Sequence, residues 1–268
     1  MKTLTSRSNP TVKKIRALYQ RKHRDSEGLF IIEGIHHVGE AAQSGADLVY
    51  LCYAPDSLKS QFALQLIADQ DAKGVSCFQL PEDLFAYLAE KENPQGILAV
   101  ARQKWLPLEA IAPDAYPWLV ALVAPQDPGN IGTILRTIDA VGASGLLLLD
   151  SSADPYHPGT VRASMGALFW YPLIKTTFTT FSRWAQQHRY TVYGTSAHGS
   201  LDYRDISAYQ KPAVLLMGSE REGLTPEQAT FCQFLVSIPM QGRVTSLNLA
   251  VATGIMLYAM QEGFMPAQ

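Results

Sequence analysis

Cysteine is scarce in this chain of 268 residues, which contains only Cys52, Cys77 and Cys232. The three are far apart, odd in number and set in apolar runs, which argues against a disulfide framework and against a cysteine-based metal cluster. No other cluster of metal-ligating residues stands out, so we expect no metal. We interpret the thiols as core residues of a reduced, cytoplasmic protein.

Long hydrophobic runs are also missing. No apolar run approaches the roughly 20 residues that a membrane helix needs, and the first residues lack the apolar stretch of a signal peptide. Apolar residues nevertheless make up 47% of the chain and charged residues 17%, as in a globular protein with a substantial core. We therefore expect a folded protein without a membrane contact.

Acidic residues are absent from positions 1–24, which carry eight lysines and arginines, whereas the rest of the chain holds 14 basic and 24 acidic residues. A basic arm on an acidic body predicts a polyanion contact within the arm. A solvated surface helix that happens to be basic is the alternative. The candidate contacts are Arg7, Lys13, Lys14, Arg16, Arg21 and Lys22.

The arm has the pattern of a helix, because Asn9 can cap it, Pro10 suits its first position and apolar residues recur at helical spacing. After it, strands alternate with helices, which predicts a small α/β domain within residues 1–101. The strands are expected near 29–33, 48–53, 75–79 and 96–101, and the helices near 34–45, 58–70 and 81–91.

Residues 102–117 break this alternation with three prolines and are interpreted as a linker with one helical turn. A second α/β domain is predicted over residues 118–268, where unbroken apolar runs are typical of strands buried on both faces. Its strands are expected near 118–124, 145–149, 190–195, 212–217 and 233–238, and its helices near 130–142, 157–168, 178–188 and 245–261.

Three short segments of the second domain lie where an apolar run meets a predicted helix. They are Asn130-Ile131-Gly132 with Arg136, Gly218-Ser219-Glu220, and Ser246-Leu247-Asn248. Ligands of parallel sheets collect at the carboxyl ends of strands, and helix N-termini favour anions. An amide, a guanidinium, a carboxylate and a hydroxyl together suit the orientation of a substrate hydroxyl and phosphate.

Each segment taken alone has a simpler interpretation. The first two could be ordinary tight turns, and Thr245 or Ser246 could merely cap the last helix, with Asn248 in its first turn. The dinucleotide and P-loop fingerprints are missing, which disfavours an ordinary nucleotide-binding sheet.

Together the segments resemble the SpoU-type RNA 2′-O-ribose methyltransferases of the SPOUT class, over about residues 118–262. The resemblance rests on Asn130-x-Gly132-Thr133-Ile134-x-Arg136-Thr137, Ser164-x-Gly166-Ala167-Leu168, Gly218-Ser219-Glu220-x-x-Gly223-Leu224, Ile238-Pro239-Met240 and Ser246-Leu247-Asn248-x-Ala250-x-Ala252. More loosely, Phe30-Ile31-Ile32-Glu33-Gly34 and the stretch after it resemble the small substrate-binding domain that often precedes such catalytic domains. Arg221 departs from the small residue that many relatives have after the motif glutamate, which could alter the charge near the target nucleotide.

The resemblance implies a parallel-sheet α/β catalytic domain with a C-terminal trefoil knot, preceded by a smaller α/β domain that binds the RNA substrate. It implies a homodimer, to which the apolar helix over 247–260 would contribute, and RNA as the partner of the basic arm. It also implies S-adenosylmethionine as the cofactor, bound at Thr195, Ser196, Gly218, Ile238, Met240 and Leu247.

The resemblance assigns catalysis to Asn130, Arg136, Glu220, Ser246 and Asn248. Methyl transfer to a ribose 2′-OH is an in-line displacement in which little net charge develops, so positioning should supply much of the rate. In the family view the arginine accepts the proton, assisted by the substrate phosphate. Because a guanidinium stays protonated in ordinary settings, we favour a clamp on the phosphate and the developing alkoxide. Asn130, Ser246 and Asn248 would order the ribose and the active loops, and Glu220 would orient these three residues.

Ribosomal RNA is the favoured substrate, because transfer-RNA enzymes of this class often lack such an N-terminal domain. One alternative is a transfer-RNA 2′-O-methyltransferase. Another is a non-catalytic RNA-binding protein on the same fold, which the presence of all the motif side chains disfavours.

Overall fold

The computed structural model describes residues 2–90, 94–206 and 208–264. The chain forms two compact units. Unit 1 contains the residues up to Gln103 together with Asp154–Trp170, and unit 2 contains Lys104–Ala153 and the residues from Tyr171 onward. Within the described ranges, no helix is both long enough and apolar enough to cross a membrane.

The chain up to Arg102 alternates between strands and helices, as predicted. Its elements are β1 (Lys2–Thr3), α1 (Pro10–Ala17), α2 (Arg21–Glu27), β2 (Leu29–Glu33), α3 (Ile35–Gln43), β3 (Leu48–Tyr53), α4 (Gln61–Ala72), β4 (Ser76–Gln79), α5 (Glu82–Leu88) and β5 (Ile97–Arg102). They build a five-stranded sheet in the order β1-β4-β3-β5-β2, in which β5 runs antiparallel to both neighbours. The end predicted at 91 for the helix over 81–91 lies outside the described residues.

The basic arm forms two short helices rather than one. The side-chain oxygen of Asn9 accepts the Thr11 amide at 2.8 Å and caps α1, and Pro10 occupies the first helical position, as predicted. A turn then separates α1 from α2, and Gly28 caps the end of α2 in the left-handed conformation (φ 63°). The arm is therefore bent at a point that helical periodicity did not reveal.

One arm residue points into the core of unit 1. Arg24 is 1% exposed, and its Nε donates to Asp154 Oδ2 at 2.6 Å. Its Nη1 donates to the carbonyl oxygens of Leu18 and Tyr19 at 2.8 and 2.9 Å, and Asp154 Oδ1 accepts the Tyr156 amide at 2.8 Å. These bonds satisfy a buried ion pair and tie the segment that begins at Asp154 to the arm.

The remaining elements are again a mixture of strands and helices. They are β6 (Trp118–Val123), α6 (Pro128–Val141), β7 (Gly145–Leu149), α7 (Pro158–Ala163), α8 (Ala167–Trp170), β8 (Leu173–Thr176), α9 (Phe178–Gln187), β9 (Thr191–Thr195), β10 (Leu201–Asp202), β11 (Ala213–Met217), α10 (Pro226–Phe231), β12 (Phe234–Ser237) and α11 (Leu249–Phe264). The single helix predicted over 157–168 is wrong. Met165 (φ 51°) and Gly166 (φ 100°) break it into α7 and α8.

Unit 2 is built on a seven-stranded parallel sheet in the order β10-β12-β9-β11-β6-β7-β8. The central strands β6, β7 and β11 are buried along their whole length, as their unbroken apolar runs predicted. Helix α11 packs against α6. The predicted parallel α/β fold is confirmed. The trefoil knot stays a prediction, because strand order does not define how loops thread.

Residues 104–117 belong to unit 2 and are not a free spacer. Leu108 and Ile111 are buried in the core of this unit, and the amide of Leu106 donates to the Leu173 carbonyl oxygen at 2.9 Å. A single 3₁₀ turn covers Leu108–Ala110, where one helical turn was predicted. The prolines therefore correctly predicted a break in regular secondary structure. They did not predict that the apolar residues between them pack into the core of unit 2.

Candidate active site

Four adjacent strands of unit 2 end at one edge of its sheet. β12, β9, β11 and β6 run parallel, so their carboxyl ends lie side by side. The three predicted motifs lie on the segments that leave this edge from β6, β11 and β12. The fold therefore places them where ligands of parallel sheets bind.

The first motif follows a sharp turn after β6. Ala124 adopts φ 44°, a left-handed conformation that is unfavourable for alanine and often marks a functional site. Asp127 caps α6 by accepting the Gly129 amide at 2.8 Å, and Pro128 is the first helical residue. Asn130 therefore lies in the first turn of α6, where it is only 7% exposed.

The second motif is a tight turn after β11. Ser219 and Gly223 exchange two backbone hydrogen bonds at 3.1 and 3.0 Å, and Gly223 has φ 68°. A Cβ on Gly218 would overlap the backbone of Gly223 and Leu224, so only glycine fits there. This turn fixes the backbone from which Glu220 extends, and Arg221 is exposed beside it.

Glu220 joins the second motif to the first. Its carboxylate accepts the backbone N–H of Gln126 at 3.0 Å and that of Asp127 at 3.3 Å. It also accepts the side-chain N–H of Asn130 at 3.2 Å. The carboxylate therefore holds the residues just before α6 and a side chain in its first turn.

Asn130 in turn joins the first motif to the third. Its Oδ1 accepts the Asn248 side-chain N–H at 3.0 Å, and Asn248 Oδ1 accepts the amides of Ala250 and Val251 at 2.9 and 3.3 Å. A carboxylate only accepts and a helix N-terminus only donates, so each asparagine has one satisfying orientation. We call the series Glu220, Asn130, Asn248 the amide chain.

The hydrogen bonds also set the charge of Glu220. Burial raises the pKa of this carboxyl, but hydrogen bonds from its own backbone N–H, from Gln126, from Asn130 and from Asp127 outweigh burial and hold the pKa below its ordinary value. The group is therefore an ionised and weakly basic carboxylate. It is suited to positioning Asn130 and poorly suited to accepting a proton.

The start of the last helix differs from the prediction. α11 begins at Leu249, and Asn248 caps it, whereas Ser246 and Thr245 lie exposed on the preceding loop. The interpretation of Ser246 as a cap and of Asn248 as a first-turn residue is wrong. Asparagine is among the best N-caps, so Asn248 lies at a favourable position while it also bonds to Asn130.

Arg136 lies six residues after Asn130 on α6, and it is exposed. Arg136 is not part of the amide chain formed by Glu220, Asn130 and Asn248. An exposed guanidinium presents planar donors suited to a phosphate. The structure therefore joins three of the five predicted catalytic residues, Asn130, Glu220 and Asn248, by hydrogen bonds. Arg136 and Ser246 are exposed and do not belong to this series.

The residues predicted to bind the cofactor line the same edge of the sheet. They are Thr195 and Ser196 at the end of β9, Gly218 after β11, Ile238 and Met240 after β12, and Leu247 before α11. The last three are half-buried apolar side chains beside strand-end backbone groups. This combination fits a ligand that has an apolar ring and a polar edge. Among the described residues, no group of three or more His, Cys, Asp or Glu could hold a metal ion.

The predicted RNA contacts of the arm differ in their surroundings. Lys14 pairs with Glu27 at 2.8 Å, and Arg21 pairs with Asp25 at 3.5 Å, so part of the positive charge is balanced locally. The other four candidates, Arg7, Lys13, Arg16 and Lys22, are exposed.

Two residues of the site were not among the predicted ones. Gln126 and Asp127 hold Glu220 through their backbone N–H groups. Aspartate before Pro-Gly is a recognisable helix start, so Asp127 had a signal as a cap. Gln126 had none, because a backbone donor leaves no trace in the side-chain sequence.

Comparison with known proteins identifies the family. The family model described as SpoU rRNA Methylase matches residues 117–258, and a model described as MRM3-like substrate binding domain matches residues 9–99. The chain belongs to the SpoU rRNA methylase family, and the predicted family is confirmed.

Individual relatives are similar over nearly the whole chain. The 23S rRNA (guanosine(2553)-2′-O)-methyltransferase RlmP of Bacillus subtilis is 31% identical over 96% of this chain and 98% of that protein. The 23S rRNA (uridine(2479)-2′-O)-methyltransferase of Streptomyces viridochromogenes is 33% identical over 90% of this chain and 85% of that protein. The solved structure of an AdoMet-bound rRNA methyltransferase from Sinorhizobium meliloti is 40% identical, with a TM-score of 0.90 over 98% of both chains.

Proposed function

We propose that this protein transfers a methyl group from S-adenosylmethionine to a ribose 2′-OH of ribosomal RNA. The amide chain carries the proposal, because it joins three motifs that are separated in sequence into one ordered site. The relatives from Bacillus and Streptomyces, which are 23S rRNA 2′-O-methyltransferases, support the reaction and the substrate. The AdoMet-bound relative supports the cofactor.

S-adenosylmethionine, when bound, supplies an activated methyl group on a sulfonium sulfur. The residues of this chain would hold the cofactor and shield it. Ile238, Met240 and Leu247 offer apolar contact. Thr195, Ser196 and the backbone at Gly218 offer polar groups at the adjacent strand ends.

The catalytic contribution of the chain is mainly positioning. Arg136 binds the phosphate of the target nucleotide and stabilises the 2′-oxygen as its proton passes to solvent water. Ser246 and the amide groups of Asn130 and Asn248 order the ribose and the loop before α11. Glu220 keeps the two amides in their single orientation and does not exchange protons.

RNA binding is assigned to the exposed basic residues of the arm in unit 1. Most of the arm lies within residues 9–99, which match the family model of a substrate binding domain. Ribosomal RNA as substrate also favours a cytoplasmic location. A homodimer is part of the proposal, because α11 carries an exposed apolar stripe. Val251 and Tyr258 are each 52% exposed, and Ile255 lies on the same helical face.

The test is methyl transfer from labelled S-adenosylmethionine to ribosomal RNA that lacks the modification. Product RNA is then cleaved with alkali, which cannot cut at a 2′-O-methylated ribose. We expect one protected position with the wild type and none with Arg136→Ala. Label on a base, with every ribose still cleavable, would contradict the proposed reaction.

A further inference from the structure

Four side chains of unit 1 form a row in which arginine guanidinium groups lie over tyrosine rings. The guanidinium carbon of Arg7 lies 4.6 Å from the centroid of the Tyr87 ring. That of Arg16 lies 5.5 Å from the same ring and 4.9 Å from the Tyr19 ring. Arg7 precedes α1, Arg16 lies in its last turn, and Tyr87 lies on α5, which packs against α1. We call these four residues the Arg–Tyr row.

The tyrosine rings of the row are fixed by packing, whereas its arginine side chains are exposed to solvent. Tyr19 and Tyr87 are half-buried and pack against the hydrophobic core of unit 1, so their rings are held in place. Arg7 and Arg16 are exposed. A guanidinium that lies on a fixed ring is preorganised, because the contact limits the rotamers of a long side chain.

Two positive charges beside one ring repel each other and attract a phosphate. Lys13 is exposed on α1, three residues before Arg16, and adds a further cation on the same helix. A phosphate binder alone, however, needs no aromatic rings. Guanidinium and tyrosine planes are the groups on which proteins stack nucleobases.

We propose that the Arg–Tyr row stacks an unpaired nucleobase of the RNA substrate. A base within a continuous duplex has both faces covered by its neighbours, so only a loop, bulge or single strand can present one. The substrate is therefore RNA with an accessible unpaired nucleotide. This inference rests on the RNA-binding function proposed above and narrows it.

The experiment compares two RNAs with the full-length protein: a hairpin with an unpaired loop, and a continuous duplex of the same stem sequence. Affinity is measured across a salt series. The double variant Arg7→Lys/Arg16→Lys keeps both positive charges and removes both planar guanidinium groups. Tyr87→Leu keeps apolar packing and removes the ring. Arg102→Lys is the matched control, because Arg102 is exposed in the same unit and pairs with Asp47.

The wild type should bind the hairpin about tenfold more tightly than the duplex, since stacking one base contributes roughly this much. The double variant and Tyr87→Leu should each lose about tenfold on the hairpin and little on the duplex. The salt slope should stay unchanged in the double variant, because the number of cations is the same. Arg102→Lys should behave as the wild type.

Equal wild-type affinity for both RNAs, or equal losses on both, would mean that the arginines contact only phosphates, and would overturn the stacking site. Methyl transfer to ribosomal RNA is measured in parallel. If the wild type methylates ribosomal RNA but its binding shows none of the expected differences, the proposed function stands without the stacking site. If the protein neither binds RNA nor methylates it, both proposals fail.

Discussion

At the scale of the residue, Asn130 has the most constrained side chain of the site, because its amide donates to Glu220 and accepts from Asn248. Asn130→Asp keeps the size and shape but sets a second carboxylate against Glu220. We expect turnover to fall on the order of 100-fold through misplacement of the catalytic groups. Stability should fall by about 1–3 kcal/mol. Single-turnover methyl transfer and denaturant unfolding measure the two effects.

A second substitution provides the control for this change. In Asn130→Asp/Glu220→Gln the amide and the carboxylate exchange places, and one hydrogen bond between them can form again. Part of the lost stability and turnover should therefore return. If the double variant is no better than Asn130→Asp, the contact between these side chains does not order the site.

The role proposed for Arg136 is different, and removal of its side chain should separate chemistry from cofactor binding. Arg136→Ala should lower turnover about 100-fold or more, as the loss of a group that stabilises a developing oxyanion does. The Kd for S-adenosylmethionine, measured by calorimetry, should change little. Leu247→Arg is the converse variant and should weaken cofactor binding. Turnover within about threefold of wild type in Arg136→Ala would contradict the assigned clamp.

Glu220 should make the stability of the protein depend on acid pH. Its folded-state pKa lies below the ordinary value, so its contribution is fully present above the unfolded pKa of about 4.3. The contribution is lost as the pH falls through the lower folded-state pKa. The Tm difference between wild type and Glu220→Gln should therefore be constant near neutral pH and shrink below about pH 4.3. A difference that grows on acidification would show the opposite shift.

At this scale the sequence predicted which side chains lie in the site better than it predicted the hydrogen bonds between them. Gly218 directly follows the apolar strand β11, Glu220 lies just beyond it, and Asn130 lies in the first turn of the helix that comes after β6, so their position at the sheet edge could be predicted. The capping role of Asn248 could not, because the start of α11 depends on which of several polar residues meets the helix amides. Whether the five predicted residues all act in catalysis stays a prediction.

At the scale of the element, the segment Asp154–Trp170 shows where local patterns stop being informative. Its sequence matches the methylase family model, yet the segment folds with unit 1. The cause is partly the Arg24–Asp154 ion pair, which joins residues 130 positions apart and leaves no periodic signal. The break between α7 and α8 was missed for a related reason, because Met165 gives no sequence indication of a positive φ.

The ion pair gives a prediction for this element. Arg24→Ala leaves the buried Asp154 carboxylate without its partner and should cost about 3–5 kcal/mol of unfolding free energy. Arg24→Met/Asp154→Leu removes both charges and should cost less than the single change. Denaturant unfolding measures both. A single variant as stable as wild type would mean that the pair does not hold the segment.

At the scale of the whole molecule, the proposed homodimer can be tested on α11. Tyr258→Lys places a charge in the exposed stripe, whereas Glu227→Lys, on α10, changes the charge by reversal outside the stripe. Sedimentation should show a dimer for wild type and for Glu227→Lys, and dissociation for Tyr258→Lys. A wild type that remains monomeric at high concentration would refute the dimer.

The assignment of Asp154–Trp170 to unit 1 has a consequence for modularity. The chain passes between the two units three times, after Gln103, after Ala153 and after Trp170. A graft of the N-terminal unit onto another enzyme at a single junction would therefore leave behind its last 17 residues, including the aspartate that neutralises Arg24. Unit 1 of this protein is a discontinuous module, and the two stretches of sequence that form it must be inherited, exchanged or engineered together.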